Sequence, residues 1–580
     1  MNRLMGLTGT ALLFTALLFA CAPRSTSPAS PTPLPPTVSP FPATANAPSG
    51  VAISGRVLGP DGAPLAQATV RIQATVNQTL TDDEGRFVLV GLEAGLPVTV
   101  SAWKEGYYCA SDEQVKPPAS GITFTMRLVQ DNDNPDYQWI PPTGENSCYS
   151  CKPGVTQVWL DSDAHGKSAS NLRFLSMYNG TDVNGHQSPL TRYGYSRDYG
   201  RIPLLPDLTQ PYFGPGYKLD FPQTAGNCAA CHLPGPAIDA PYGVDPNAVA
   251  GVDALGIHCD FCHKVAEVTL DPETGLPYAN MPGVLSMDIR RPFPEDADRY
   301  QLFFGTFDDD NVPMEDTYLP LIAESSYCAP CHYGGFWDTV VYNSFGEWLD
   351  SPYSDPSFEG ARTCQQCHMP SPTLFGGKPI TNVAPGTGGI ERDPSTIHAH
   401  TFPGAVSQEL LQNAVAMDVE AAREGRTARV DVTLTNDRTG HHVPTDSPLR
   451  QMILLVQAKD AKGRPLGLIE GPTLPDWCGT GDPAQGYYAG LPGVAYARVL
   501  QELWTEIAPT GAYWNPTRVL SDTRLAAFAV DPNAFVFEAP QGVVEVEVTL
   551  WFRRAYRGLM DQKGWTDKDI LMARETLEVP

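Results

Sequence analysis

The sequence predicts a multidomain chain built as a β-sandwich, then a mostly irregular, short-helical core, then a second β-sandwich. Three observations predict it. Apolar residues alternate with polar ones over 51–128, periodicity is lost over 129–410 where five CxxC motifs cluster, and alternation returns over 411–580. With 580 residues the chain exceeds one ordinary core, so several domains are expected.

Composition narrows the function classes. The charged fraction is 18% and the formal net charge is -26, with basic residues scattered, which excludes nucleic acid as a partner and argues against direct attraction to an anionic membrane surface. Of 13 cysteines, ten lie in the five motifs, and only Cys21, Cys109 and Cys478 stand outside them. Cysteine use therefore points to cofactor chemistry and not to a disulfide framework.

Residues 1–21 read as an export signal: Arg3 precedes an apolar run too short for a stable membrane span, ending Leu18-Phe19-Ala20-Cys21. That ending resembles a bacterial lipoprotein lipobox, which implies lipidation at Cys21. Phe19 replaces the usual small residue, so ordinary signal cleavage or an uncleaved anchor is the alternative. Residues 22–50, almost entirely Pro, Ser, Thr and Ala, are expected to be an extended tether.

In 51–128, Ile53, Gly55 and Val57, then Val70 and Ile72, then Phe87 and Leu89, then Val98, Val100 and Ala102 alternate between turn signals Pro60-Asp61-Gly62 and Asp83-Glu84-Gly85. The runs Ser54-Gly55-Arg56-Val57, Asp61-Gly62-Ala63-Pro64-Leu65, Gly85-Arg86-Phe87 and Lys104-Glu105-Gly106-Tyr107 resemble the carboxypeptidase regulatory-like module. The resemblance implies a small prealbumin-like β-sandwich with a spacing or adhesion role.

The core carries the chemistry. Cys228-Ala229-Ala230-Cys231-His232, Cys259-Asp260-Phe261-Cys262-His263, Cys328-Ala329-Pro330-Cys331-His332 and Cys364-Gln365-Gln366-Cys367-His368 are CxxCH motifs. In this pattern two thiols add to the vinyl groups of a haem and the histidine becomes the proximal iron ligand. A zinc reading would pair cysteines between motifs and leave the four histidines unexplained. Cys148-Tyr149-Ser150-Cys151-Lys152 has the same spacing but ends in lysine. Five covalently bound c-type haems are thus expected, attached through all ten cysteines, with His232, His263, His332 and His368 as proximal ligands and Lys152 either the proximal ligand of the first haem or a residue that merely follows its motif, so that five or six further ligands are needed. Haem would also supply the apolar interior of a domain otherwise poor in regular structure, with short helices near the motifs, for example over 336–349.

Second ligands must come from the remaining histidines. The chain has 11, leaving seven: His165, His186, His258, His398, His400, His441 and His442. The distal candidates are His165, His258, His398, His400, His441 and His442; His186, in Asn184-Gly185-His186-Gln187, is the weakest of the seven. A ligand from Gly440-His441-His442-Val443-Pro444 would clamp the second sandwich onto the core. That sandwich is read from Val430, Val432 and Leu434, from Met452, Leu454 and Val456, and from Val544, Val546, Val548 and Leu550, with a short polar helix expected over 567–575.

The runs Trp159 to Asn171, Gly256-Ile257-His258-Cys259 through Lys264, Glu347-Trp348-Leu349 with Ser351-Pro352-Tyr353, and Cys364 through Pro370 resemble the multihaem cytochrome c family. This family includes nitrifier tetrahaem cytochromes, hydroxylamine-oxidoreductase-like proteins and cytochrome c nitrite reductase. It implies mostly bis-histidine haems that relay electrons. In the nitrite reductase the CxxCK haem is catalytic, so Lys152 carries an alternative implication, an oxidoreductase of a small nitrogen or sulfur compound. The run after Lys152 departs from the reductase, and no catalytic Tyr, His or Arg is carried over. Expected partners are redox proteins or quinol-linked donors, with the chain held by its lipid anchor on the outer face of the cytoplasmic membrane, or in the periplasm or at the cell surface.

Overall fold

The computed structural model describes residues 50–162, 164–293, 301–309, 311 and 316–580. The export signal, Cys21 and residues 22–49 of the tether therefore lie outside the described residues. Among the described residues no helix is long and apolar enough to cross a membrane.

The first sandwich comprises β1 (Val51–Leu58), β2 (Thr69–Ile72), β3 (Gln78–Leu80), β4 (Arg86–Leu92), β5 (Val98–Trp103), β6 (Ala110–Val115) and β7 (Ala119–Thr125). One sheet runs β4-β1-β7 and the other β3-β2-β5-β6. β1 pairs antiparallel with β4 and parallel with β7. Period-two alternation sends Ile53, Val57, Val70, Phe87, Leu89, Val100 and Phe124 into one core. Each such side chain, fully buried, contributes about 1.5–3 kcal/mol. At Gly55 a Cβ would collide with the Ile122 carbonyl of β7, so only glycine admits that parallel neighbour.

This module is not a free appendage. Arg71 pairs with Asp308 at 2.8 Å, Ala74 N donates to Asp309 at 2.7 Å, and Trp103 Nε1 donates to Thr317 Oγ1 at 3.3 Å. Asp309 in turn pairs with Arg392 at 2.6 Å, both nearly fully buried. The expected spacing or adhesion role must therefore accommodate a sandwich seated directly on the core segment around 301–318.

The core has short elements only. Each motif forms about one helical turn, at Cys148–Cys151, Ala229–His232, Cys259–Cys262, Ala329–His332 and Cys364–His368. Within 336–349 the helix is confined to Ser344–Leu349, because Gly334–Phe336 and Thr339–Tyr342 pair as a hairpin.

The second sandwich stacks a sheet ordered Ala416–Glu424, Thr427–Thr435, Val530–Glu538, Leu468–Glu470 on one ordered Thr517–Asp522, Gly493–Glu502, Gln451–Asp460, Val544–Arg553, Ile570–Val579. Its core holds Val430, Val432, Leu434, Met452, Leu454, Phe535, Val546 and Val548. The polar helix expected over 567–575 is absent: Ile570–Val579 is an edge strand antiparallel to Val544–Arg553. Its exposed positions are polar because they face water from a sheet edge, which mimics a polar helix in sequence. A helix does occur just before it, at Arg557–Lys563. Its last residue, Lys563, is buried and donates to the carbonyls of Ser176, Thr181 and Pro215 at 3.1, 3.2 and 2.6 Å, pinning this sandwich to the core.

Arg392→Met would leave the Asp309 carboxylate buried without its cation and cost about 3–5 kcal/mol. Chemical unfolding followed by circular dichroism checks this; a midpoint equal to that of the unaltered chain contradicts it.

Candidate haem-binding site

In a helical turn, residues three and four apart share a face, so each CxxCH turn presents two thiols and an imidazole to one side. Local bonds set the turns. Thr363 and Gln366 close a capping box ahead of Cys364, with Gln366 N donating to Thr363 Oγ1 and Thr363 N to Gln366 Oε1. At the third motif a buried pair, Lys264 with Asp260 at 2.6 Å, is completed by Tyr137 OH and Ile140 N donating to Asp260. The motifs also meet one another: Cys148 lies beside Cys259, Cys231 beside Cys331 and Cys328 beside Cys364. The fourth motif thus touches the second and the fifth, and Cys262 of the third lies close enough to act on both of its thiols.

Three histidine pairs are brought together, His165 with His332 nearly perpendicular at 86° and the other two nearer parallel at 30° and 16°. The ring centres of His165 and His332 are 6.2 Å apart, those of His263 and His400 6.4 Å, and those of His368 and His441 6.3 Å. Two imidazoles on opposite sides of one metal, each at a metal–nitrogen distance of about 2.0–2.1 Å and with ring centres about 1 Å further out, stand about 6 Å apart.

Hydrogen bonding settles which nitrogen of each ring is available. Nδ1 of His263 donates to the Phe304 carbonyl, of His368 to Pro403 O, of His400 to His398 O, of His441 to His442 O and of His332 to the Asp446 carboxylate. Carbonyls and carboxylates only accept, so Nδ1 carries a proton in each, and in the neutral form of each ring Nε2 keeps its lone pair. Burial depresses His263 to about 3 and His368 to about 4, and also lowers His441, which keeps those rings neutral.

Two segments deliver most of this geometry. In the first, 398–404, His400 faces His263, the Phe402 ring abuts His165 at 4.5 Å, and Pro403 accepts from His368. Phe402 holds a left-handed φ of 42°, a strained conformation for a bulky residue. The second segment, 440–446, belongs to the second sandwich and carries His441 and Asp446. It is fixed by Glu347, whose carboxylate takes Arg524 Nη1 at 2.6 Å and His442 N at 3.1 Å. His442 Nδ1 stands 3.3 Å from the same carboxylate. His165 is set by Ile257 N donating to its carbonyl, an approach that Gly256 allows: a Cβ there would collide with Ser168 and lie 2.9 Å from Ala169 N.

The other predicted residues are placed differently. His232 is half-buried and stacked on Phe174 at 4.0 Å, with no hydrogen-bond partner for its buried Nδ1. His258 is fully buried and caps the third motif's turn, its Nδ1 accepting from Phe261 N; the proton is then on Nε2, which has no partner. His398 Nδ1 donates to Met369 O at 3.3 Å, beside the fifth motif. Lys152 places its ammonium over the Phe303 ring at 4.6 Å, and Phe303 stacks on His263 at 3.8 Å. His186 is a surface residue bonded to Asp182. Cys478 is buried in the second sandwich, where burial pushes its thiol up to about 12, and Cys109 is buried as well. Asp446 and Phe402 were not singled out in the sequence; their partners lie far along the chain, and no local pattern marks them.

Residues 52–127 match the carboxypeptidase regulatory-like domain. No curated protein matches the chain. Among solved structures, a penta-heme cytochrome c552 from Thermochromatium tepidum is similar to this chain at 17% identity, with 76% of this chain and 100% of that chain covered and a TM-score of 0.50. At that identity the likeness shows a shared fold. A type II cohesin–X-dockerin complex from Acetivibrio cellulolyticus matches at 23% identity over 14% of this chain and 59% of that chain, with a TM-score of 0.12, too low to carry an argument.

Burial pushes the Glu347 carboxyl up, but His442, Arg524 and Thr445 outweigh it and hold it at about 2. Its folded value is below its unfolded one, so its contribution to stability is complete above about pH 4.5 and is lost as pH falls towards 2. Thermal unfolding from pH 6 down to pH 2 should show a limb that Glu347→Gln flattens; identical pH profiles contradict this.

Proposed function

We propose that this chain is an exported multihaem c-type cytochrome that relays electrons at the cell envelope. In this reading five haems are held covalently by the ten motif cysteines, and the chain is anchored through a lipidated Cys21. The observation that carries it is the pairing of His165 with His332, His263 with His400 and His368 with His441 at 6.2–6.4 Å. The donor set fits: rings oriented through Nδ1, thiols on the same face of each turn, and a half-buried His232 whose Nδ1 is unpartnered. When bound, each c-type haem supplies a one-electron iron couple.

The chain's own part is to bind, orient and exclude water. His332, His263 and His368 serve as proximal ligands of the fourth, third and fifth motifs, and His165, His400 and His441 as their distal ligands. His232 and Lys152 are proximal at the second and first. His258 is assigned to capping in preference to ligation, since its Nε2 carries the proton. His398 and His442 support their neighbours through Met369 and Glu347. Meeting motifs keep the sites close enough for electrons to pass along the chain to redox proteins or from quinol-linked donors.

A second reading, an oxidoreductase of nitrite, hydroxylamine or a small sulfur compound at the Lys152 site, is favoured by one observation. The three histidine pairs serve the third, fourth and fifth motifs, whereas Lys152 lies over an aromatic ring.

A pyridine haemochromogen assay of the exported holoprotein should give five haems per chain; fewer than four contradicts the proposal. Electron paramagnetic resonance of the oxidised protein separates the two readings. A relay gives low-spin signals only, and a high-spin signal that shifts with nitrite or hydroxylamine supports the second. His441→Ala should convert one low-spin haem to high-spin, and an unchanged spectrum would remove His441 from the ligand set.

A further inference from the structure

The proximal histidines differ in what their Nδ1–H meets. His263 and His368 donate to backbone carbonyls, of Phe304 and Pro403. His332 alone among these three donates to a carboxylate, Asp446 Oδ2, at 3.2 Å. Asp446 is partly buried, accepts from Ser344 Oγ at 3.1 Å through its other oxygen, and feels the charge of Arg450. Its backbone sits at φ 63°, a left-handed conformation uncommon for a residue with a side chain. Strain of this kind persists where surrounding structure imposes it, and here it aims the carboxylate at His332.

A carboxylate draws the Nδ1 proton more strongly than a carbonyl, which raises electron density at Nε2 and makes the ring a stronger donor to its metal. A negative charge beside the site also favours the more positively charged ferric state. We propose that Asp446, a positioning residue on the second sandwich, sets the fourth haem at a more negative reduction potential than the third and fifth. Because the fourth motif touches the second and fifth and lies beside the third, a site reduced after the third and fifth would stand at the junction of the chain. The second sandwich then gates electron flow as well as supplying a ligand. This rests on the haem reading above.

The test is a spectroelectrochemical titration of the exported holoprotein, with haem content measured first, so that a shortfall in haems strikes the underlying reading and not this inference. Asp446→Asn keeps the shape and the tolerance of left-handed backbone while removing the charge. One midpoint should move positive, the others should stay, and the resonance of one low-spin haem should change. If all midpoints stay in place, or all move together, the inference is overturned. Ser344→Ala leaves Asp446 intact and removes a competing donor, so it covers the case in which Asp446→Asn does not fold. It should move the same midpoint negative, and an unmoved midpoint overturns the inference. Asp446→Glu should retain the negative position.

Discussion

Three pairs of histidine rings are held with their centres 6.2–6.4 Å apart, the separation that two imidazoles sharing one metal would need, and the rest of this structure is arranged around keeping them there. The partners come from remote parts of the chain. His165 meets His332, His263 meets His400, and His368 meets His441, the last from a different domain. A core built mainly of loops and single helical turns cannot impose such precision by regular secondary structure. It does so through anchored segments: 398–404, which serves three of these rings, and 440–446, which serves two.

The flanking sandwiches supply the rigidity that the core lacks. The first sits on the segment that carries Phe303 and Phe304, and Phe304 is the acceptor for His263. Its anchorage runs from Arg71 and Ala74 through Asp308 and Asp309 to Arg392. The second is pinned by Lys563 on three core carbonyls and by Glu347 between Arg524 and the His442 backbone. Buried ion pairs of this kind are modest sources of net stability, but removing one partner is costly. Their effect here is to fix where the histidine-bearing loops lie.

Both sandwiches were legible in the sequence because strand periodicity is a local signal, and positions such as Val430, Val432 and Leu434 alternate strictly. The motifs were legible because CxxCH is contiguous. What was not legible was pairing. Seven histidines were compatible with many ligand sets, and only three-dimensional placement separates His400, which faces His263, from His398, which turns to Met369. His258 shows the same limit: its position beside Cys259 suits either a ligand or a helix cap, and only the structure shows that it accepts from Phe261 N. The 567–575 stretch was misread because a solvent-facing edge strand and a polar helix share a composition.

The central claim, that paired histidines hold the irons, is tested most directly by near-infrared magnetic circular dichroism of the oxidised holoprotein, in which the charge-transfer band position reports the axial ligand pair of each low-spin haem. At least three haems should carry the bis-histidine signature, with a separate lysine-ligated component from the first motif. A spectrum with histidine–methionine bands, or with fewer than three bis-histidine haems, would contradict the account.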